Sequence, residues 1–415
     1  MGEGKKRKIV LRLFVSFVFN LIQGSAVQAN IFEEMRRARS HWQEKGIAFD
    51  ILYTGDSVST VSGGIKNGTA FLGNLDLIMT ADTQKLGFWD QGTFSIYGIY
   101  NHGSSRPTEK FVGDLQGVDN IETARTFRLF ELWYEQRLFA EKLSILLGLR
   151  DINADFYASE YAGVFINGSF GIGPEITVNT KPSIFPITSP GVRFQWQPNQ
   201  NLELLTGVFH GDPRDHDTNE NGTHIAFNKK HGVMTLTEAD LHYQLPLGRG
   251  EEPLPGTLKL GAWHHDKDVD DVFATDDTGA KVRHDDNYGF YSLLDQMVYR
   301  EKDQEGLGVF FQYGQAPDDR NTVDVYLGSG LHYEGLIPGR DEDIAGVGLA
   351  YASISEELRL AETRDRAERT IEATYRAKVS EKLALQADVQ FVFDPGANPD
   401  LEDAVVAILR FEVGL

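Results

Sequence analysis

Four residues able to do chemistry stand at alternate positions of one short segment, TFRLFELWYEQRL, residues 126–138: Glu131, Trp133, Glu135 and Arg137. Two carboxylates in one segment raise the chemistry of glycoside cleavage, with one acid and one base. Four residues along a strand span roughly 13 Å. Even an inverting pair, which must admit a water, is separated by only about 6.5–9.5 Å. The spacing argues against hydrolysis, and the chain is read as a non-enzyme. Binding is the chemistry that remains. Carboxylates and a guanidinium exchange hydrogen bonds with hydroxyls, and an indole covers an apolar C–H face. Asp76, Arg150, Arg193, Trp263 and His265 join the candidates for such contacts, with Asn74, Asp82 and Gln195 beside them. The plainer reading of any one of them is a polar wall residue that touches no solute.

Metal and cofactor chemistry has little to stand on. The absence of cysteine excludes a disulfide framework, thiolate zinc, iron–sulfur centres and thiol catalysis. Asp217 to Gly222 matches the first half of a calcium loop, but its twelfth position is Asn228 and the bidentate glutamate is missing. Asp266, Asp268, Asp270 and Asp271 read as a solvated acidic surface. His264 and His265 are adjacent, so in a strand they point to opposite faces and cannot share a metal. No cofactor and no metal are expected.

Positioning such residues requires strands. Val405, Ala407, Leu409, Phe411 and Val413 are apolar, with Arg410 and Glu412 between them. Leu383 to Phe393 and Ile371 to Val379 repeat the pattern, one apolar and one charged face each. Parity assigns Leu132, Tyr134, Leu138 and Leu409 to lipid and the candidates above to a lumen. On that reading Arg410 faces water, and Leu409→Arg should harm the chain more than Arg410→Leu. Candidate strands run at 47–60, 68–83, 91–102, 126–138, 142–153, 191–197, 201–210, 231–246, 256–266, 287–300, 305–315, 322–335, 343–354, 368–379, 383–394 and 403–414. The count is even, as a closed bacterial barrel requires, and tight turns at 140–142, 198–200 and 380–382 alternate with long connections at 103–125, 154–190, 211–230, 267–286 and 355–367. The expected fold class is an all-β transmembrane antiparallel barrel of sixteen strands, residues 47–415. The long connection 154–190, rich in aromatic and small residues around Ala158 to Pro174, either folds inward and narrows the lumen or caps the rim.

The 415 residues carry 61 acidic and 40 basic side chains, a net charge of −21. That balance argues against nucleic acid as a partner, because phosphate binding needs a basic surface. The first 30 residues differ from the rest. Lys5, Lys6, Arg7 and Lys8 precede the mostly apolar stretch Ile9 to Ile22, and Val27-Gln28-Ala29 supplies small residues for a peptidase. The apolar stretch is short of the roughly 20 residues that span a bilayer as a helix. Residues 1–29 read as a signal peptide, cleaved after Ala29, and 30–46 as a helical segment before the first strand.

The order of several blocks resembles the carbohydrate-selective porin family, the OprB-like outer-membrane porins. These are Lys45-Gly46-Ile47 with Gly63-Gly64, DTQKLGFWDQGTFSIYGIYNHG at 82–103, TFRLFELWYEQRL at 126–138, LLGLRDINADFYASEYAGVFINGSFG at 146–171, and FPITSPGVRFQWQPN at 185–199. The resemblance covers residues 36 to 415. It implies a sixteen-stranded monomeric barrel that passes small sugars by diffusion. It also implies outer-membrane lipid and lipopolysaccharide around the barrel, and an assembly machinery that inserts it. Such barrels commonly end in an aromatic residue; here Leu415 is last and Phe411 lies four residues before it. A non-selective or cation-preferring porin, or a secreted soluble β-protein that binds or cleaves glycans, are the alternatives.

Overall fold

The computed structural model describes residues 37, 39–213, 218–225, 227, 229–246, 252–302 and 305–414. The proposed signal peptide lies outside the described residues, as do Asp217 and Asn228, the first and twelfth positions of the calcium-like loop. Residues 39–44 are helical, and Arg39 Nη2 donates to Asp50 Oδ1 at 2.6 Å beside the start of the first strand. Among the described residues no helix is long and apolar enough to cross a membrane.

Sixteen strands close into one antiparallel barrel. They are β1 (Ile47–Gly64), β2 (Gly68–Asp82), β3 (Gly92–Gly103), β4 (Thr126–Leu138), β5 (Leu143–Arg150), β6 (Ser189–Asn199), β7 (Leu202–His210), β8 (Val233–Leu245) and β9 (Leu254–His265), followed by β12 (Asn287–Lys302), β13 (Glu305–Gln315), β14 (Val323–Glu334), β15 (Ile344–Ile354), β16 (Ala367–Ser380), β17 (Leu383–Phe393) and β18 (Glu402–Gly414). β10 (Val269–Thr275) and β11 (Lys281–His284) form a separate hairpin in the connection read as a loop from sequence. β18 closes onto β1 in the register Asp56↔Arg410 and Val58↔Ile408. Closure leaves no sheet edge, so every strand's backbone groups are paired within the sheet.

Side-chain parity sorts the wall into two faces. Leu385, Phe391 and Leu409 are exposed on the outside, whereas Glu372, Gln390 and Asp388 lie buried inside. Exposed rings gather at both ends of the outer surface. Phe49, Phe94, Trp196 and Tyr299 lie towards the short-turn rim; Phe71, Phe127, Tyr288, Phe290 and Phe391 lie towards the long-loop rim. Two aromatic girdles around an apolar band are what a lipid bilayer selects on a barrel. Arg410 departs from the expectation of water. It points inward but is 7% exposed, and its guanidinium bonds Asp56.

Alternation breaks once where it matters. Tyr97 pairs with Glu131 and Gly98 with Leu129, so Phe130 is an extra residue in β4. Before this bulge the inward residues are Thr126 and Arg128; after it they are Glu131, Trp133 and Glu135. A bulge admits two neighbours on one side, and Phe130 and Glu131 are both buried.

The connection 151–188 does not project from the rim. Its Ile152, Phe156, Tyr157, Ile172 and Ile176 pack on Leu205, Met234, Leu236, Trp263 and Leu293 of the inner wall. Its Ala162, Val164, Phe165 and Phe170 pack on Phe310, Tyr326 and Ala350. Its short elements, such as the one-turn helix Pro174–Thr177, leave many backbone N–H groups free. Inward carboxylates of the wall accept them. Tyr157 N donates to Glu238 at 2.9 Å, Glu160 N to Asp295 at 3.1 Å, and Ile166 N and Asn167 N to Glu372 at 2.6 and 3.1 Å. The acidic balance of the sequence thus serves in part as a set of acceptors that hold this loop inside the barrel.

Candidate functional site

The bulge of β4, the end of β5 and the middle of β6 bring five charged groups together on one wall. Trp133 Nε1 donates to Glu131 Oε2 at 2.9 Å. Arg150 Nη1 donates to the same oxygen at 3.1 Å, and its guanidinium lies 5.3 Å from the centre of the Trp133 ring. Arg150 then grips Asp155 with two bonds, Nε to Oδ2 at 2.8 Å and Nη2 to Oδ1 at 3.1 Å. On the far side of Asp155, Arg193 Nε stands 3.6 Å from Oδ1. Arg193 Nη2 donates to Glu135 Oε1 at 3.0 Å and Nη1 to Ser144 Oγ at 2.7 Å. Gln195 Oε1 accepts from Arg193 Nη1 at 2.8 Å. Arg137, half exposed towards the short-turn rim, stands 3.4 Å from Glu135.

The ladder therefore runs Trp133, Glu131, Arg150, Asp155, Arg193, Glu135, with three acids and, counting Arg137, three bases. Bidentate arginine–carboxylate contacts hold planar groups in fixed orientation. Glu131, Glu135 and Arg193 are buried, whereas Trp133, Arg137 and the edge of Arg150 keep access to solvent. The buried members position; the open members are the ones a solute can touch.

The remaining sequence candidates do not join this ladder. Asp76 accepts from Asn74 Nδ2 and Tyr97 Oη, both at 2.7 Å, on the neighbouring wall of β2 and β3. Trp263 points inward but is 2% exposed, sealed beneath the loop 151–188. His265 also points inward, and its Nε2 donates to the His231 carbonyl at 3.1 Å beneath the connection 211–232. Alternation gave the face of both residues but could not reveal the loops that cover them.

Two participants escaped sequence reading. Asp155 sits in the loop, outside any alternating segment, yet it joins the two arginines. Its distance of five residues from Arg150 at a strand end was the one available signal. Lys259 is the other: it stands 2.8 Å from Asp240 and 3.6 Å from Glu238 on β8 and β9.

Glu175 holds a special place in the inserted loop. Both of its oxygens are buried without a hydrogen-bond partner, against Gly314 of β13, where a Cβ would lie 2.0 Å from Oε1. Burial pushes its carboxyl up to about 8. A carboxyl raised on docking stabilises the docked loop fully below its ordinary value, and this contribution is lost as pH rises through about 8. Limited proteolysis of the loop is expected to accelerate between about pH 5 and 8 in the native chain and to level off above that. Glu175→Gln is expected to flatten that dependence; a native chain equally resistant at both pH values would contradict it.

Comparison with known proteins agrees with this architecture. The family model described as carbohydrate-selective porin, OprB family, matches residues 66–415. Porin B of Pseudomonas aeruginosa is 22% identical over 411 residues, covering 90% of this chain and 88% of that protein. A putative porin, QuiX, of Acinetobacter baylyi is 22% identical over 410 residues, with 90% of each chain covered. The high-pH structure of Pseudomonas putida OprB superposes with a TM-score of 0.81 at 21% identity, covering 91% of this chain and 96% of that one. A family match over most of the chain, on a closed sixteen-stranded barrel with a loop folded into its lumen, makes this protein a member of the carbohydrate-selective porin family, OprB, a channel family of the outer membrane.

Proposed function

We propose that the chain lets small neutral sugars such as glucose diffuse passively across the outer membrane. In this reading residues 1–29 direct export and are removed after Ala29. The observation that carries it is the ladder of Trp133, Glu131, Arg150, Asp155, Arg193 and Glu135. With Arg137 beside Glu135, its three acids are matched by three bases, so it attracts neither ion strongly, yet it offers donors, acceptors and an indole side by side. A sugar presents hydroxyls around its edge and C–H groups on its faces, and such a wall replaces part of its hydration shell. The relatives named porins support passage through the lumen rather than chemistry within it.

Swelling of liposomes containing the folded barrel tests the proposal. Glucose is expected to enter faster than a charged solute of similar size. Arg150→Ala is expected to reduce that preference by about tenfold, the worth of roughly one net hydrogen bond to a charged group. Equal entry of glucose and the charged solute through the native barrel would overturn the reading.

A further inference from the structure

The outer surface of the barrel carries an unusual polar cluster near the long-loop rim. Tyr53 of β1, Phe71 of β2, and Tyr100 and His102 of β3 all point away from the lumen. The His102 ring stacks on Tyr53 at 5.8 Å and on Phe71 at 6.0 Å, and lies 5.5 Å from Tyr100. Gly73 makes room for this stack. A Cβ there would lie 2.4 Å from His102 and 2.7 Å from Tyr53 Oη. Tyr53 Oη and His102 Nε2 are hydrogen-bonded at 3.1 Å.

Above the rings stands Arg125, exposed, one residue before β4. Its Nη2 donates to Tyr100 Oη at 3.4 Å, and it forms no ion pair with any described residue. Ser104 Oγ accepts from Phe71 N at 2.9 Å, which leaves its hydroxyl proton to donate elsewhere. Phe71, Tyr100, His102, Gly103, Ser104 and Arg125 line an open cleft of about 460 Å³. Towards the barrel's waist the same face continues as Leu75 and Ile96, which are apolar and outward.

An unpaired guanidinium on the lipid side of a girdle lies at the level of lipid headgroups, where anionic phosphate is the counter-charge at hand. We infer that this cleft binds the phosphorylated saccharide headgroup of an outer-leaflet glycolipid. The phosphate meets Arg125 and the Ser104 hydroxyl. The C–H face of the sugar lies on Tyr100 and Phe71, and the acyl chains run down along Leu75 and Ile96. The inference rests on the long-loop rim facing the cell exterior. It does not depend on what crosses the lumen, and lipid retention is measured with no transported solute present.

The test is native mass spectrometry of the full-length barrel in detergent, titrated with bis-phosphorylated lipid A. One tightly retained lipid is expected. Arg125→Ala is expected to weaken retention by about tenfold, the effect of removing one charge-assisted contact at a headgroup, and Arg125→Lys by less. Lipid A stripped of both phosphates is expected to bind the native barrel as weakly as intact lipid binds Arg125→Ala. Arg283→Ala, in the β10–β11 hairpin near the same rim, is expected to retain lipid normally. Undiminished retention in Arg125→Ala would overturn the inference. So would equal retention of the dephosphorylated lipid, or an equal loss in Arg283→Ala.

Discussion

Replacing Arg410 by leucine is expected to destabilise the barrel by about 3–5 kcal/mol, the cost of leaving a buried charge without its partner. Arg410 lies on β18 directly across from Asp56 of β1, at the seam where the barrel closes. Its Nε lies 3.0 Å and its Nη2 2.7 Å from the two Asp56 oxygens, and Nη2 also donates to Asn120 Oδ1 at 2.7 Å. Asp119 stands 3.5 Å from the same nitrogen. Asp56 and Asp119 are both buried, so removing the guanidinium strands two carboxylates at once. Adding Asp56→Asn to Arg410→Leu is expected to recover part of the loss. Leu409→Arg, at a residue 57% exposed to lipid, is expected to cost about 2–4 kcal/mol near the bilayer midplane. The two single variants should therefore be comparable, or Arg410→Leu the worse. Denaturant midpoints of the three folded barrels check this. A midpoint for Arg410→Leu equal to the native one would show that the seam pair contributes nothing.

That expectation differs from the order that parity alone gives, and the difference marks where alternation stops being informative. Period-2 patterning depends only on which side of the sheet a residue occupies. It therefore gave the closed antiparallel barrel, its sixteen strands and the inward face of Glu131, Glu135, Arg150, Arg193 and Arg410. It carries no signal about what lies on the inner side. Arg410 and His265 share a face with Arg150, yet one is buried by Asp56 and the connection 104–125, and the other by the connection 211–232. Trp263 reads from sequence as an aromatic available to solutes because an indole on the inward face looks the same whether it meets water or the apolar loop residues Phe156 and Ile176. Asp155 was missed for the converse reason: it comes from the covering loop itself. The ladder needs one residue from outside the repeating pattern to join two from within it. Phe130 shows the same limit on a smaller scale, since a bulge is set by tertiary pairing with β3 and leaves no trace in hydropathy.

Deleting Tyr161–Gly168 is expected to raise single-channel conductance at least about twofold and to weaken discrimination between glucose and larger oligosaccharides, because the lumen cross-section controls both. The segment lies against the wall from β12 to β17, across the lumen from Arg150. Phe165 stacks near Phe170 at 4.6 Å and Phe310 at 5.5 Å, while Ile166 N and Asn167 N are held by Glu372 on the opposite wall from Arg150. Gln386 Nε2 donates to the Val164 carbonyl at 2.7 Å and Asn167 Nδ2 to Gln390 at 3.1 Å, so β16 and β17 hold the segment at four points. Removing it opens the space over Phe310, Tyr326 and Ala350 and leaves Glu372 free to water. The barrel wall is untouched, because no residue of 161–168 takes part in its strand ladders. Heat-modifiable migration on a gel reports whether the variant has folded, and planar-bilayer recordings then read its conductance. Glu372→Ala supplies a milder version of the same test: it removes two of the four attachments and is expected to add gating noise with a smaller rise in mean conductance. Native conductance in a folded deletion variant would place the narrowest point elsewhere, at the ladder of Arg150 and Arg193 alone. The two arrangements separate on the second readout, because a constriction made by the ladder alone would leave oligosaccharide discrimination intact when the loop is gone.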